Sequence, residues 1–435
     1  MNRKGITCVL AAIVLAILMA ATAYGVEASQ PLAQRYDIHG YSIAYSENKE
    51  TIFQNYGKDI NEKSVFELAS NGKVVGAYIA LKLVDEGKIS LDEKIAPYLK
   101  SDLLTDDTRM KDITLRQLLC HTAGFSPSFE LGIDKKLYSE PGAEFRYSGV
   151  GYIYLQSVIE EVSGMTLEQV AKHYVFEPLG MQNTTFEKAK IVTPYMKLSS
   201  AVLYALAVFV AVFLLLVLIA LILGKITKFR LYSVKGAILV CIAISSAVNL
   251  LFLLFVFVSK VVFLFLIYLL LIGIVLLITR KKNIYFYISM PILTLLILIL
   301  SFIVPASIPV TNDLTAKASN CAYTLKSTSE DMDLFCGELM RQYNQGSETM
   351  RTMFMPSVEI DSANSWGLGI AIELEDEGET YWHSGINPGF QSLLVLYPQK
   401  NKYIIVLTNS DDGLDFSKDA ADEFLSIGGN WNIKR

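Results

Sequence analysis

The sequence predicts an α+β protein: an antiparallel β-sheet flanked by helices, interrupted by an all-α block that crosses a membrane. Two features predict it. Strand-like runs occupy both ends of the polar sequence and helical patterns fill the middle, which suggests one sheet closed by both chain ends, with helices on its faces. Apolar residues concentrate at the extreme N-terminus and between about 199 and 305, so the rest reads as a water-soluble domain in two parts. The expected segments are 1–28, a signal peptide or N-terminal anchor; 29–197, the first part of the domain; 198–311, four transmembrane helices; and 312–435, the second part.

The N-terminal segment has the layout of a secretory signal. Arg3 and Lys4 precede an apolar stretch over 6–20, and Ala21-Thr22-Ala23 offers a small-residue cleavage site. Cleaved or kept as an anchor, it places the following residues outside the cytoplasm. Two strand-like runs come next, 41–45 and 50–56, joined by a polar turn. A third apolar lead-in, Phe66-Glu-Leu-Ala69, runs into Ser70-Asn-Gly-Lys73. Behind it Val74, Ala77, Tyr78, Leu81 and Val84 recur at helical spacing, with Gly87 as the stop. Further helices are expected over 114–119, over 151–162 before Gly164, and from Thr166, where Gln169 completes a capping box.

Runs long enough to span a bilayer cover 200–223, 236–259, 261–279 and 285–304. Lys225, Lys228, Arg230 and Lys235 lie between the first two, and Arg280, Lys281 and Lys282 between the last two. Positive loops stay cytoplasmic, so the chain enters and leaves the block on the outer side. Four spans let the flanking parts share one compartment, where three or five would separate them. Beyond the block a helix is expected near 329–343, then strands over 366–374, 380–383, 391–397 and 402–408, and a closing helix over 415–427.

Composition removes several functions. The net charge is −5 and basic residues cluster beside apolar spans, so nucleic acid is not expected as a partner. No His-Glu-x-x-His or Cys-x-x-Cys occurs, so neither a metal nor another cofactor is expected. Of the five cysteines, Cys8 and Cys241 fall in apolar segments. Cys120, Cys321 and Cys336 read as packed free thiols, with a Cys321–Cys336 disulfide as the alternative in an oxidising compartment.

The chemistry centres on Ser70 and Lys73. A serine hydroxyl needs a base to become a nucleophile, and residues three apart at a helix start share a face. The helix N-terminus also favours developing negative charge. Lys73 must be neutral to act as the base. A second Ser-x-x-Lys, Ser46-Glu-Asn-Lys49, falls in the turn between two strands and lacks that setting.

The run 66–87, then Leu118-Leu-Cys-His-Thr-Ala-Gly124, Pro141-Gly-Ala-Glu-Phe-Arg-Tyr147-Ser-Gly149, Glu177-Pro-Leu-Gly-Met181 and His383-Ser-Gly385 follow in that order. Together they resemble the serine β-lactamase-related family: class C β-lactamases, penicillin-binding proteins, and D-Ala-D-Ala carboxypeptidases and esterases. Ser327-Thr-Ser-Glu-Asp-Met332 and Trp366-Gly-Leu-Gly369 add to the likeness, which covers both soluble parts and skips the apolar block. The resemblance implies a β-lactamase/transpeptidase-like domain with an all-helical lobe. It implies Ser70 as the acylated nucleophile, Lys73 as base or proton relay, and Tyr147 as the tyrosine exchanging protons with nucleophile and leaving group. The N–H groups of Ser70 and Ile386 would form the oxyanion hole beside Gly385, and His121 would support the fold.

Two departures bear on the substrate. Gly149 stands where many relatives carry a substrate-binding Asn, and His383 where β-lactamases usually carry Lys. A lysine is a permanent cation suited to a substrate carboxylate, whereas histidine near neutral pH is largely uncharged. The expectation is therefore a membrane-tethered extracytoplasmic hydrolase acting on a small molecule or a peptidoglycan-derived peptide, with the lipid bilayer as its other partner. A receptor acylated by a β-lactam or wall fragment, and a non-catalytic wall-binding protein, are the alternatives.

Overall fold

The computed structural model describes residues 32–127, 135–197, 307–309 and 319–432. The N-terminal segment and the four expected spans lie outside them. Among the described residues, no helix is long and apolar enough to cross a membrane.

Twelve short strands are described. β1 (Tyr41–Glu47) and β2 (Glu50–Tyr56) form a hairpin whose two turn residues, Asn48 and Lys49, have φ of +52° and +71°. Ser46 is buried in β1 and Lys49 is exposed in the turn, so the second Ser-x-x-Lys makes no site. β3 (Phe66–Ala69) feeds α1 (Gly72–Asp85), and Gly87 follows with φ +69°. α2 (Leu115–Leu119) and α4 (Leu167–Ala171) flank α3 (Gly149–Ser163) in sequence. Capping boxes start two of these helices: Thr114 with Gln117 at α2, and the expected Thr166 with Gln169 at α4. β4 (Tyr195–Lys197) pairs antiparallel with β5 (Ser307–Pro309), and β6 (Leu325–Ser327) with β3.

α5 (Ser329–Gln345) leads to the remaining strands: β7 (Val358–Glu359), β8 (Asn364–Trp366), β9 (Ala371–Glu375), β10 (Gly378–Asn387), β11 (Phe390–Tyr397) and β12 (Lys402–Thr408). α6 (Gly413–Leu425) follows, two residues earlier at each end than expected, stopped at Ser426 in the left-handed region. The main sheet is antiparallel in the order β2-β1-β12-β11-β10-β9-β8-β7. First and last strands are neighbours, so the chain ends close it.

One expected strand is two. The run 366–374 breaks because Gly367 N–H donates to Ile370 O at 2.9 Å, closing a turn between β8 and β9. Glycine is required there: a Cβ on Gly367 would lie 2.1 Å from Met353 O, and one on Gly369 (φ +94°) 2.1 Å from Ala77 Cβ. The run 380–383 is longer than expected and continues through the site to Asn387.

β11 and β12 read as unbroken apolar runs because both faces are covered. Leu393–Leu396 and Ile404–Leu407 have no exposed surface, and each such side chain contributes about 1.5–3 kcal/mol on burial. α6 packs on β11 and β12 from one face, and α5 on β12 and β1 from the other. Across the interruption, β1 joins β12, β3 joins β6, and Tyr78 of α1 donates to Glu338 of α5 at 2.7 Å. The described residues on the two sides of the interruption share one sheet and one core.

Candidate active site

β3 delivers Ser70 to a sharp elbow. Phe66, Leu68 and Ala69 are fully buried, and Ala69 adopts φ +48°, which costs a non-glycine residue about 1–2 kcal/mol. Such strain persists where the surroundings over-determine it. Here the surroundings are β10 and β11. Ser392 Oγ donates to Leu68 O at 3.0 Å and accepts from Asn71 Nδ2 at 2.8 Å, holding the elbow on both sides of Ser70. Gly385 pairs with Ser392 across the ladder, and a Cβ there would lie 2.0 Å from Leu68 O. Glycine at 385 therefore lets β3 end against β10, one residue from Ile386.

Lys73 lies in the first turn of α1 and is 2% exposed. Its Nζ donates to Ser70 Oγ at 2.9 Å and to Ala322 O at 2.6 Å, and lies 5.1 and 5.7 Å from the ring centroids of Tyr147 and Tyr152. The carbonyl fixes Nζ in place between the hydroxyl and the two rings.

Tyr147 precedes α3 in a loop tied down by His121. The His121 backbone, at φ +58°, accepts from Arg146 N at 2.7 Å, and its Nδ1 accepts from Ser148 N at 3.1 Å. A backbone N–H only donates, so His121 Nδ1 is the acceptor in this contact. Its ring packs 4.4 Å from Tyr147, with Trp366 at 5.8 Å and His383 at 6.1 Å from the same tyrosine. The expected supporting role of His121 thus takes a definite form: it brackets and orients Tyr147. Ser148 caps α3 by accepting from Gly151 N at 2.9 Å, and Gly149 N donates to Pro127 O at 3.0 Å.

His383 is 2% exposed, and its Nδ1 lies 2.9 Å from Ser384 O. A carbonyl accepts only, so Nδ1 carries the proton. The imidazole lies under the site and presents no exposed cation to a ligand. Ile386, by contrast, is 45% exposed at the end of β10. β9 pairs with β10 from Gly378 to Trp382 and stops there, which leaves the 383–387 edge of β10 for an extended ligand.

The structure thus gathers Ser70, Lys73, Tyr147, His383, Gly385 and Ile386 at one end of β10, with Gly149 two residues past Tyr147. It adds groups the sequence did not reveal: Ala322 O, the Asn71–Ser392 clamp, and Asn387. The Asn387 Nδ2 donates to Glu67 Oε2 at 2.8 Å and to Tyr323 O at 3.2 Å, joining β10 to β3 and to the loop that holds Lys73. These are long-range contacts; the one sequence cue was the place of Asn387 two residues after Gly385. Cys321 and Cys336 are buried free thiols and not a disulfide; Cys321 Sγ donates to Tyr152 O at 2.9 Å, and burial pushes that thiol up to about 12. No group of acidic, His or Cys side chains fit to hold a metal occurs among the described residues.

The Beta-lactamase family model matches residues 27–199 and 305–426. Protein flp of Staphylococcus aureus (strain MW2) is 27% identical over 180 residues, 36% of this chain and 36% of that protein. A putative D-alanyl-D-alanine carboxypeptidase of Salmonella newport (strain SL254) is 31% identical over 147 residues, 28% of this chain and 34% of that one. The chain thus spans about a third of the length of the curated relatives it matches. Among solved structures, a penicillin binding protein from Bacillus halodurans superposes with a TM-score of 0.58 at 16% identity, covering 90% of this chain and 98% of that one. A D-stereospecific amidohydrolase from Streptomyces sp. gives 0.58 at 16%, covering 91% and 94%, and a class C beta-lactamase 0.58 at 15%, covering 93% and 95%. These likenesses show the fold.

Proposed function

From the premise that the chain belongs to the Beta-lactamase family of serine hydrolases, we propose that it is a membrane-tethered extracytoplasmic enzyme cleaving peptide or ester bonds of cell-envelope substrates. The observation that carries this reading is the 2.9 Å contact between Lys73 Nζ and Ser70 Oγ at the end of a strained strand. Ser70 Oγ attacks the acyl carbon as its proton passes to Lys73 Nζ. The N–H groups of Ser70 and Ile386 stabilise the oxyanion. Tyr147 gives its phenolic proton to the departing amine or alcohol as the C–N or C–O bond breaks and recovers one from Lys73 Nζ, leaving an ester on Ser70 that water then hydrolyses.

The buried His383 supports a peptidase or esterase over a true β-lactamase, because an imidazole stands at the position where β-lactamases usually carry the fixed cation of a lysine. The D-alanyl peptides that the named relatives suggest are the first substrates to try. The four apolar runs at 200–223, 236–259, 261–279 and 285–304, with their positive loops, support the membrane tether. The test is turnover of D-alanyl-D-alanine peptides and D-alanyl esters by the detergent-purified chain and by Ser70→Ala. Turnover is expected from the wild type and not from the variant; equal turnover by both rules out Ser70 as the nucleophile.

A further inference from the structure

The limbs that enter and leave 198–306 are both described at their roots. β4 and β5 run side by side, with Tyr195 opposite Pro309 and Lys197 opposite Ser307. The base of this ribbon is fixed. Tyr195 N donates to Asn409 O at 2.8 Å, Asn409 Nδ2 donates to Thr193 O at 2.8 Å, and the Tyr195 ring stacks on His39 at 3.9 Å. Pro194 and Tyr195 also press on the turn between β10 and β11. A Cβ on Gly389 (φ +72°) would lie 2.6 Å from Pro194 Cβ and 3.1 Å from Tyr195 N.

That turn belongs to the site. Asn387, which ties Glu67 to Tyr323 O, is its first residue, and Gly385, which seats the Ser70 elbow, lies two strand residues or about 7 Å before it. Chain reach then sets a height. Six residues separate Pro194 from Ser200, where the first apolar run begins, and an extended chain covers at most about 20 Å over that span. On the return, Val304 and Ser307 are three residues apart, a reach of about 10 Å. A domain of this size is about 50 Å across, so limbs this short hold the site end toward the bilayer and leave the far end out of reach.

We propose that the site faces the bilayer and takes an acyl donor anchored in the outer leaflet by a lipid tail, with the ribbon base beside the site held within about 20 Å of the membrane surface. This rests on the proposed membrane spans and on the serine-hydrolase reading. Ile386, 45% exposed on the oxyanion side of the site, offers an apolar contact suited to such an amphiphile. Donors in a wall layer tens of ångströms away are outside its reach.

The full chain, reconstituted in phosphatidylglycerol–phosphatidylethanolamine vesicles, tests this. With Cys8 and Cys241 changed to Ser, a donor dye is attached at Pro388→Cys or at Gln399→Cys, both exposed and about 24 Å apart along β11. Cys120, Cys321 and Cys336 are buried, and burial pushes their thiols up, so they stay unlabelled. Energy transfer to headgroup-labelled lipid is expected to be about twofold or more stronger from 388 than from 399. A D-alanyl-D-alanine peptide carrying a palmitoyl chain should turn over at least about tenfold faster than the free peptide. Flexible 15-residue inserts after Lys197 and before Ser307 should erase that preference while leaving the free peptide's turnover unchanged. Protein that resists alkaline extraction but shows equal or stronger transfer from 399, or keeps its preference with long limbs, overturns the proposal and spares the membrane reading. Protein stripped from the vesicles by alkali overturns both.

Discussion

The two parts of the chain contribute different things to one site. Before the interruption come the side chains to which the proposed chemistry is assigned, Ser70, Lys73 and Tyr147, each close in sequence to the helix that positions it. After it come mainly backbone and space: the Ala322 carbonyl on Lys73, the Gly385 gap that admits Leu68, the β10 edge at Ile386, and the Asn387 bridge. Chemistry that depends on a functional group needs a particular side chain, whereas a seat needs shape and many residue types can line it. Neither part is a site without the other.

The largest expected effect falls on the first part. Lys73→Ala removes the proposed base and should slow acylation of Ser70 by about 10³-fold, read by stopped-flow with a chromogenic ester, with little change in substrate KM. An effect below about tenfold moves proton transfer to another group. The seat comes next. Gly385→Ala places a methyl where Leu68 O now lies and should push β3 off β10, lowering kcat/KM about 100-fold even at temperatures where the variant stays folded. Full activity in a folded Gly385→Ala would show that the seat is not needed. His121→Asn sharpens the first-part account: it breaks the contact to Ser148 N and loosens Tyr147, and should lower kcat about tenfold more than it alters KM.

The smallest effect lies outside the site, where the two parts meet on Glu338. Burial alone would raise this carboxyl, but hydrogen bonds from Arg341, Gln342 and Tyr78 outweigh it and hold the group below the usual carboxylate range. A depressed folded value means the stabilisation is fully present above the unfolded value of about 4.3 and is lost as pH falls through the lower folded one. Thermal unfolding of Glu338→Gln should therefore lie below wild type by about 1–2 kcal/mol at pH 7, with the gap closing below about pH 4. A gap that widens in acid contradicts that sign.

The same contrast governs what the sequence could disclose. Ser70 and Lys73 were readable because spacing, an apolar lead-in and an amphipathic helix are local signals. The closing sheet was readable from runs such as 402–408, where burial on both faces leaves a continuous apolar stretch. The turn inside 366–374 was hidden because Gly367 and Gly369 owe their roles to Met353 and Ala77, neighbours in space alone. Ala322 and Asn387 were hidden for the same reason: a carbonyl carries no residue signature, and an asparagine in a turn has many uses. His121 was readable as structural, but its grip on Tyr147 required the left-handed backbone at 121, which a non-glycine residue rarely adopts.

The central claim is that Ser70 forms a covalent acyl-enzyme. Mass spectrometry of the purified chain after rapid mixing with a fluorescent penicillin and, separately, a D-alanyl thioester, quenched in acid and digested, tests it most directly. An adduct from the thioester is expected on the peptide containing Ser70, absent in Ser70→Ala, with penicillin labelling weaker or missing. An adduct that persists in Ser70→Ala, or hydrolysis of D-alanyl substrates with no adduct at any quench time, would contradict it.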